Sequence, residues 1–77
     1  MTASEQLAAL ADRLTADPTF IAGHVSTAGL IAALGVDVDT AIKIRLCWWP
    51  RAAGDVKRIA GGFGLDVDAL TAALARQ

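Results

Sequence analysis

The chain has 77 residues, a formal charge of -1 and a hydrophobic fraction of 55%. This length holds a single helical domain spanning 1–77 and little else. Much of the apolar content is alanine, so the core rests on a short set of Leu, Ile, Val, Phe and Trp, and a domain this small often gains stability by association. Near-neutral charge gives no global drive toward nucleic acid or membrane.

One cysteine, Cys47, excludes an internal disulfide, and a lone Cys with a lone His, His24, does not make a metal site. Cys47 reads as a small buried hydrophobe. The start, Met1-Thr-Ala-Ser-Glu5, lacks the basic and apolar pattern of a signal peptide, and the longest apolar run, Ala28 to Val36, is too short to span a bilayer. The expectation is a cytoplasmic protein with no membrane association, of bacterial type.

In chain order, Thr2-x-x-Glu5 has the form of a capping box. Leu7, Leu10, Ala11 and Leu14 follow at helical spacing and predict one apolar face. Asp17-Pro18 stops this helix, because the residue before proline avoids the helical region. Asp17 also suits the start of a short turn that carries Phe20 and Ile21 and ends at Gly23-His24. His24 reads as a surface or capping residue.

Ser26 predicts the N-cap of a second helix with Leu30, Ile31 and Leu34 as its buried stripe and Gly35 as its stop. Asp37 or Asp39 caps a third helix running to about Cys47, closed by Trp48-Trp49-Pro50. After a loop from Arg51 to Gly54, a fourth helix runs from about Asp55 to Gly62, with Val56, Ile59, Ala60 and Phe63 on its apolar face. Gly64 ends it, Asp66 caps the last helix, and Leu70, Ala73 and Leu74 face inward. No segment sustains a period of two, so no strand is predicted. The expected fold is all-α: a compact bundle of four or five short helices with a helix-turn-helix-like core.

Leu34-Gly35-Val36-Asp37-Val38-Asp39 is echoed by Phe63-Gly64-Leu65-Asp66-Val67-Asp68. Both read as helix end, glycine turn, apolar plug and aspartate cap. Any tight helix-to-helix turn converges on this chemistry, and two copies do not make a repeat protein.

Leu30-Ile-Ala-Ala-Leu-Gly-Val36 followed by Thr40, together with Asp55 to Leu70 and the intervening Pro50, resembles the helix-turn-helix of Cro/CI-type (XRE-like) repressors over residues 30–74. The resemblance implies a second helix lying across the first and presenting a face to the major groove. The sequence departs from that pattern at the recognition helix. Val38, Ala41, Ile42, Ile44, Leu46, Cys47 and Trp48 run nearly all round it, and base reading wants polar side chains there. Asp37 and Asp39 at its start repel phosphate.

Five of the seven basic residues, Lys43, Arg45, Arg51, Lys57 and Arg58, lie between positions 43 and 58, against Asp55 alone. Three readings of this tryptophan-bearing stretch stand open: core Trp among solvated cations, a protein-binding surface, or phosphate contact. For helical geometry through Trp49, Ala41, Ile44 and Trp48 turn inward and Ile42, Leu46 and Trp49 outward, rimmed by Arg45 and Arg51. That predicts a partner-binding patch of Ile42, Leu46, Trp49, Arg45 and Arg51, serving a homodimer or a larger protein. The alternative is a DNA-binding regulator using Thr40, Lys43, Arg45, Arg51, Lys57 and Arg58. No catalytic set is present: Cys47 and His24 lie on different elements, the paired aspartates read as helix caps, and Gly61, Gly62 and Gly64 lack a phosphate-loop context. The expectation is a non-enzyme without a cofactor, a small protein-interaction module that self-associates or serves as an accessory subunit.

Overall fold

A computed structural model describes residues 2–75. Five α-helices follow in order: α1 (Ala3–Arg13), α2 (Thr27–Leu34), α3 (Val38–Arg45), α4 (Ala53–Phe63) and α5 (Val67–Ala75), with one 3₁₀ turn, Ile21–Gly23, between α1 and α2. The fold is all-α, a small helical bundle.

The punctuation follows side-chain chemistry. Thr2 and Glu5 make the reciprocal capping box: the Glu5 N–H donates to Thr2 Oγ1 at 3.2 Å and the Thr2 N–H donates to Glu5 at 3.1 Å. Ser26 Oγ accepts the Gly29 N–H at 3.0 Å and starts α2. Gly35 and Gly64 close α2 and α4, each at φ 66°, the left-handed region that a side chain disfavours. Asp37 Oδ1 accepts the Thr40 N–H at 2.8 Å and starts α3, and Asp66 Oδ1 accepts the Asp68 N–H at 2.8 Å at the start of α5. The two glycine–aspartate echoes are therefore the same device used twice.

Helix α3 packs against α1 and α2, and α5 packs against α2 and α4. The core between them is built from Ile21, Leu30, Ala41, Ile44, Ala60, Leu70 and Leu74. Val56, Ile59 and Phe63 of α4 pack against it partly buried, as their spacing predicts. On α1 the expected stripe is narrower: Ala11 is buried and Leu7 and Leu14 half-buried, but Leu10 stays exposed.

Three boundaries differ from expectation. Helix α1 ends at Arg13 and not near Asp17-Pro18, with Leu14 as its C-cap, whose N–H donates to the Ala11 carbonyl at 3.0 Å. Helix α4 begins at Ala53, two residues early, because Asp55 at its third position accepts the Arg51 N–H at 3.2 Å and so caps from inside the first turn. Helix α3 ends at Arg45 and not at Cys47. The next residues leave the helix and meet the segment before the 3₁₀ turn: the Ile21 N–H donates to the Cys47 carbonyl at 2.9 Å and the Trp49 N–H to the Thr19 carbonyl at 2.7 Å. These bonds flank one isolated antiparallel bridge, Phe20 with Trp48. No named strand occurs among the described residues.

The cap of α3 gives the fold a definite acid response. The Thr40 hydroxyl and backbone N–H hold the Asp37 carboxyl below its ordinary value. A group whose folded pKa is depressed contributes stability that is full above its unfolded pKa and is lost as pH falls through the folded one. Asp37→Asn should therefore be less stable than the parent at neutral pH, and the gap should close on acidification below the ordinary carboxylate range. Urea unfolding at a series of pH values measures it; a gap that stays constant would show that the carboxylate charge at position 37 is immaterial.

Candidate functional site

The extended stretch 47–49 decides what the tryptophans do. On an extended chain successive side chains point to opposite faces, a period of two and not of 3.6. Cys47 and Trp49 therefore turn inward together, both packed against the core, and Trp48 turns out. Trp48 is 71% exposed, the most exposed of the large hydrophobic side chains among the described residues. This reverses the sequence expectation of Trp48 inward and Trp49 outward, which assumed that helical geometry continues past Arg45.

Trp48 is nevertheless held. A bridge pair flanked by the two backbone bonds is the non-hydrogen-bonded kind, in which facing side chains approach closely. The Phe20 and Trp48 rings meet edge to face, with centroids 6.2 Å apart and planes at 72°. Trp49 stacks on His24, centroids 3.9 Å apart and planes at 25°. The His24 ring Nε2 lies 2.8 Å from the Pro18 carbonyl oxygen. His24 is thus half-buried between Trp49 and the proline loop. A β-carbon at the neighbouring Gly23 would overlap the Asp17 carbonyl, so the loop closes this tightly only with glycine there.

The predicted patch centred on Trp49 does not form. Ile42 is buried at 6% exposure, Leu46 and Trp49 are half-buried, and Arg45 is buried at 5%. Ile42 and Arg45 fall inward because α3 is covered on two sides, by α1 and by α2, so a broad apolar circumference is buried within one chain. Of that set only Arg51 is exposed.

Arg45 has an internal task. Its Nε donates to the Val25 carbonyl at 2.9 Å, Nη1 to Thr27 Oγ1 at 2.9 Å and Nη2 to the Ala22 carbonyl at 3.4 Å. Its ion pair with Asp12 is loose, 3.9 Å, and the Asp12 side chain is 78% exposed, so water shares that carboxylate. Carbonyls and a hydroxyl do most of the work of holding the charge.

Among the residues of the alternative nucleic-acid set, Lys43, Arg51, Lys57 and Arg58 are exposed, Thr40 is half-buried and Arg45 is withdrawn into the fold. The exposed part of α3 is Val38, Asp39 and Lys43, one acid against one cation.

What the structure does bring together is Trp48, Pro50, Arg51, Asp55, Arg58 and Ile59, with Cys47 and Trp49 behind them, around an open groove of about 400 Å³ between the post-α3 segment and α4. Sequence reasoning placed Arg51 and Arg58 in a basic stretch but missed their meeting with Trp48. Burial pushes the Cys47 thiol pKa up, and the thiol donates to the Lys43 carbonyl with Sγ and oxygen 3.5 Å apart. No group of metal-ligating side chains occurs among the described residues. No helix among them is long and apolar enough to cross a membrane.

Compared with known proteins, the chain matches no family model, no curated protein and no solved structure.

The two tryptophans should separate cleanly in solution. Trp48→Ala should lower unfolding stability by no more than about 0.5–1.5 kcal/mol, the worth of its edge-to-face pair with Phe20. Trp49→Ala should lower it by about 2–4 kcal/mol, through lost packing on His24 and the core. Acrylamide quenching should be dominated by Trp48 and fall sharply in Trp48→Phe. Equal stability losses at the two positions would contradict the assignment of inside and outside.

Proposed function

We propose that this chain is a protein-interaction module that docks a partner protein on the surface around Trp48. The observation that carries the reading is a tryptophan 71% exposed yet fixed in place by a backbone bridge and an edge-on phenylalanine. An unburied indole leaves a large apolar area in water, and soluble chains use such area for contact. Tryptophan and arginine dominate interface hot spots, and Arg51 and Arg58 stand beside Trp48. The apolar centre and cationic edge match the anatomy of a docking surface.

Charge favours a different chain as partner over a second copy. The stretch from Lys43 to Arg58 carries five cations against Asp55, while Glu5, Asp12, Asp17, Asp37, Asp39, Asp66 and Asp68 lie outside it. A two-fold contact sets a patch against itself, so the face carrying Arg51 and Arg58 would meet the same two cations of its copy. That repulsion ranks self-association through this face below binding of another protein. The nucleic-acid reading, with its Cro/CI-type precedent, has less support: Arg45 is buried, and Asp37 and Asp39 begin the helix that would meet phosphate.

A photo-crosslinking residue placed at position 48 tests this in the cells that make the protein, with the same residue at exposed Ala69 on α5 as control. The reading predicts a discrete adduct with another protein from position 48 only, suppressed by excess purified parent chain but not by Trp48→Ala. No adduct, or equal adducts from both positions, overturns it. An adduct of the chain with itself restores the homodimer.

A further inference from the structure

The groove beside Trp48 also specifies the chemistry of what it holds. We infer that it takes an acidic peptide segment carrying one apolar side chain, an inference that rests on the protein-docking reading above. The apolar walls are Trp48, Pro50 and Ile59, and the charged ones are Arg51, Arg58 and Asp55. A volume of about 400 Å³ falls in the range of a small-ligand site and exceeds one side chain, so a short length of backbone enters with it.

The charges are not equivalent. Asp55 already serves the start of α4, where its Oδ2 accepts the Arg51 N–H at 3.2 Å. The two guanidiniums are uncommitted: among the described residues the ion pair is Arg45 with Asp12, and Arg51, Lys57 and Arg58 have no acidic partner. Guanidinium groups bind carboxylates through two parallel hydrogen bonds, the geometry that aspartate, glutamate or a chain terminus supplies. The apolar walls give a carboxylate-bearing segment a place for one Leu-, Ile- or Phe-sized side chain against the indole.

The site is also preformed. Pro50 fixes its own backbone angle, Trp48 is locked by hydrogen bonds on both sides of the bridge, and Arg58 and Ile59 project from a regular helix. Little backbone ordering entropy is then lost on binding, and the ordering cost falls on the exposed Arg51 and Arg58 side chains. A phosphate backbone alone satisfies the arginines but leaves the walls in water, and an oligonucleotide whose bases stack on Trp48 is the competing occupant that the oligothymidylate probe tests.

The full chain is titrated into a fluorescein-labelled peptide pool with Asp, Glu or Ser at flanking positions and Leu, Ile or Phe at the centre. Matched pools replace the acids by Asn and Gln, or the central residue by Ser, and a labelled single-stranded oligothymidylate serves as the nucleic-acid probe. The acidic apolar pool should bind saturably, with a blue shift of Trp48 emission, and each matched pool should bind about tenfold more weakly or worse. Trp48→Ala and Arg58→Glu should each weaken binding about tenfold or more while both variants stay folded at the assay temperature, and added salt should weaken the parent complex, because exposed charges are screened within about 8 Å at physiological ionic strength. Equal binding of all pools, indifference to Arg58→Glu, or tighter binding of the oligothymidylate overturns the inference. No peptide binding alongside a position-48 crosslink overturns the acidic-peptide chemistry and leaves protein docking standing; no binding and no crosslink overturns both.

Discussion

A single buried cation fixes how this chain folds back on itself. Arg45 is the last residue of α3 and is 5% exposed. Removing a guanidinium from water is unfavourable unless its donors are met, and here they are met by Val25, Thr27 and Ala22. Those acceptors need the arginine in turn. The Ala22 carbonyl lies in the 3₁₀ turn, whose last carbonyls have no partner within it, and the Val25 carbonyl lies just before the N-cap of α2. No buried side-chain nitrogen or oxygen among the described residues lacks a hydrogen-bond partner. One side chain thus ties the end of α3 to the segment between α1 and α2.

That tie sets the path of everything after α3. With Arg45 anchored against residues 22–27, the following residues lie beside Thr19–Ile21 and pair with them as extended chain. The change from helical to extended geometry at this point turns Trp49 onto His24 and Trp48 outward beside α4. An arginine that reads as a DNA contact or an interface rim acts through the backbone instead, by presenting a tryptophan and two other arginines.

Much of the architecture was legible in the sequence because it is encoded locally. Thr2, Glu5, Ser26, Asp37 and Asp66 sit at helix starts and Gly35 and Gly64 at helix ends, since a cap acts within three residues of itself and a positive φ is a property of one residue. The stripes Val56, Ile59, Ala60, Phe63 and Leu70, Ala73, Leu74 also follow from periodicity alone. The site was less legible because it depends on distant pairing. Nothing near Arg45 in sequence indicates that its acceptors lie about twenty residues away, and nothing near His24 indicates that Trp49 will stack on it. The exchange of roles between Trp48 and Trp49 follows from where α3 stops, and the inward turn of Ile42 from the cover that α1 and α2 give α3. Without the long-range bridge, the apolar pattern through Cys47 and Trp48 reads equally as more helix.

The direct test of this account is the unfolding free energy of Arg45→Met, measured beside Lys43→Met on the exposed side of the same helix. Methionine keeps much of the apolar stem but leaves the buried carbonyls unpaired, which costs about 2–4 kcal/mol. The account predicts a loss of that size for Arg45→Met, a change under about 0.5 kcal/mol for Lys43→Met, and altered quenching of the tryptophans in the former as the bridge loosens. Equal and small effects at both positions, with tryptophan exposure unchanged, would contradict the claim that the fold hangs on the Arg45 guanidinium.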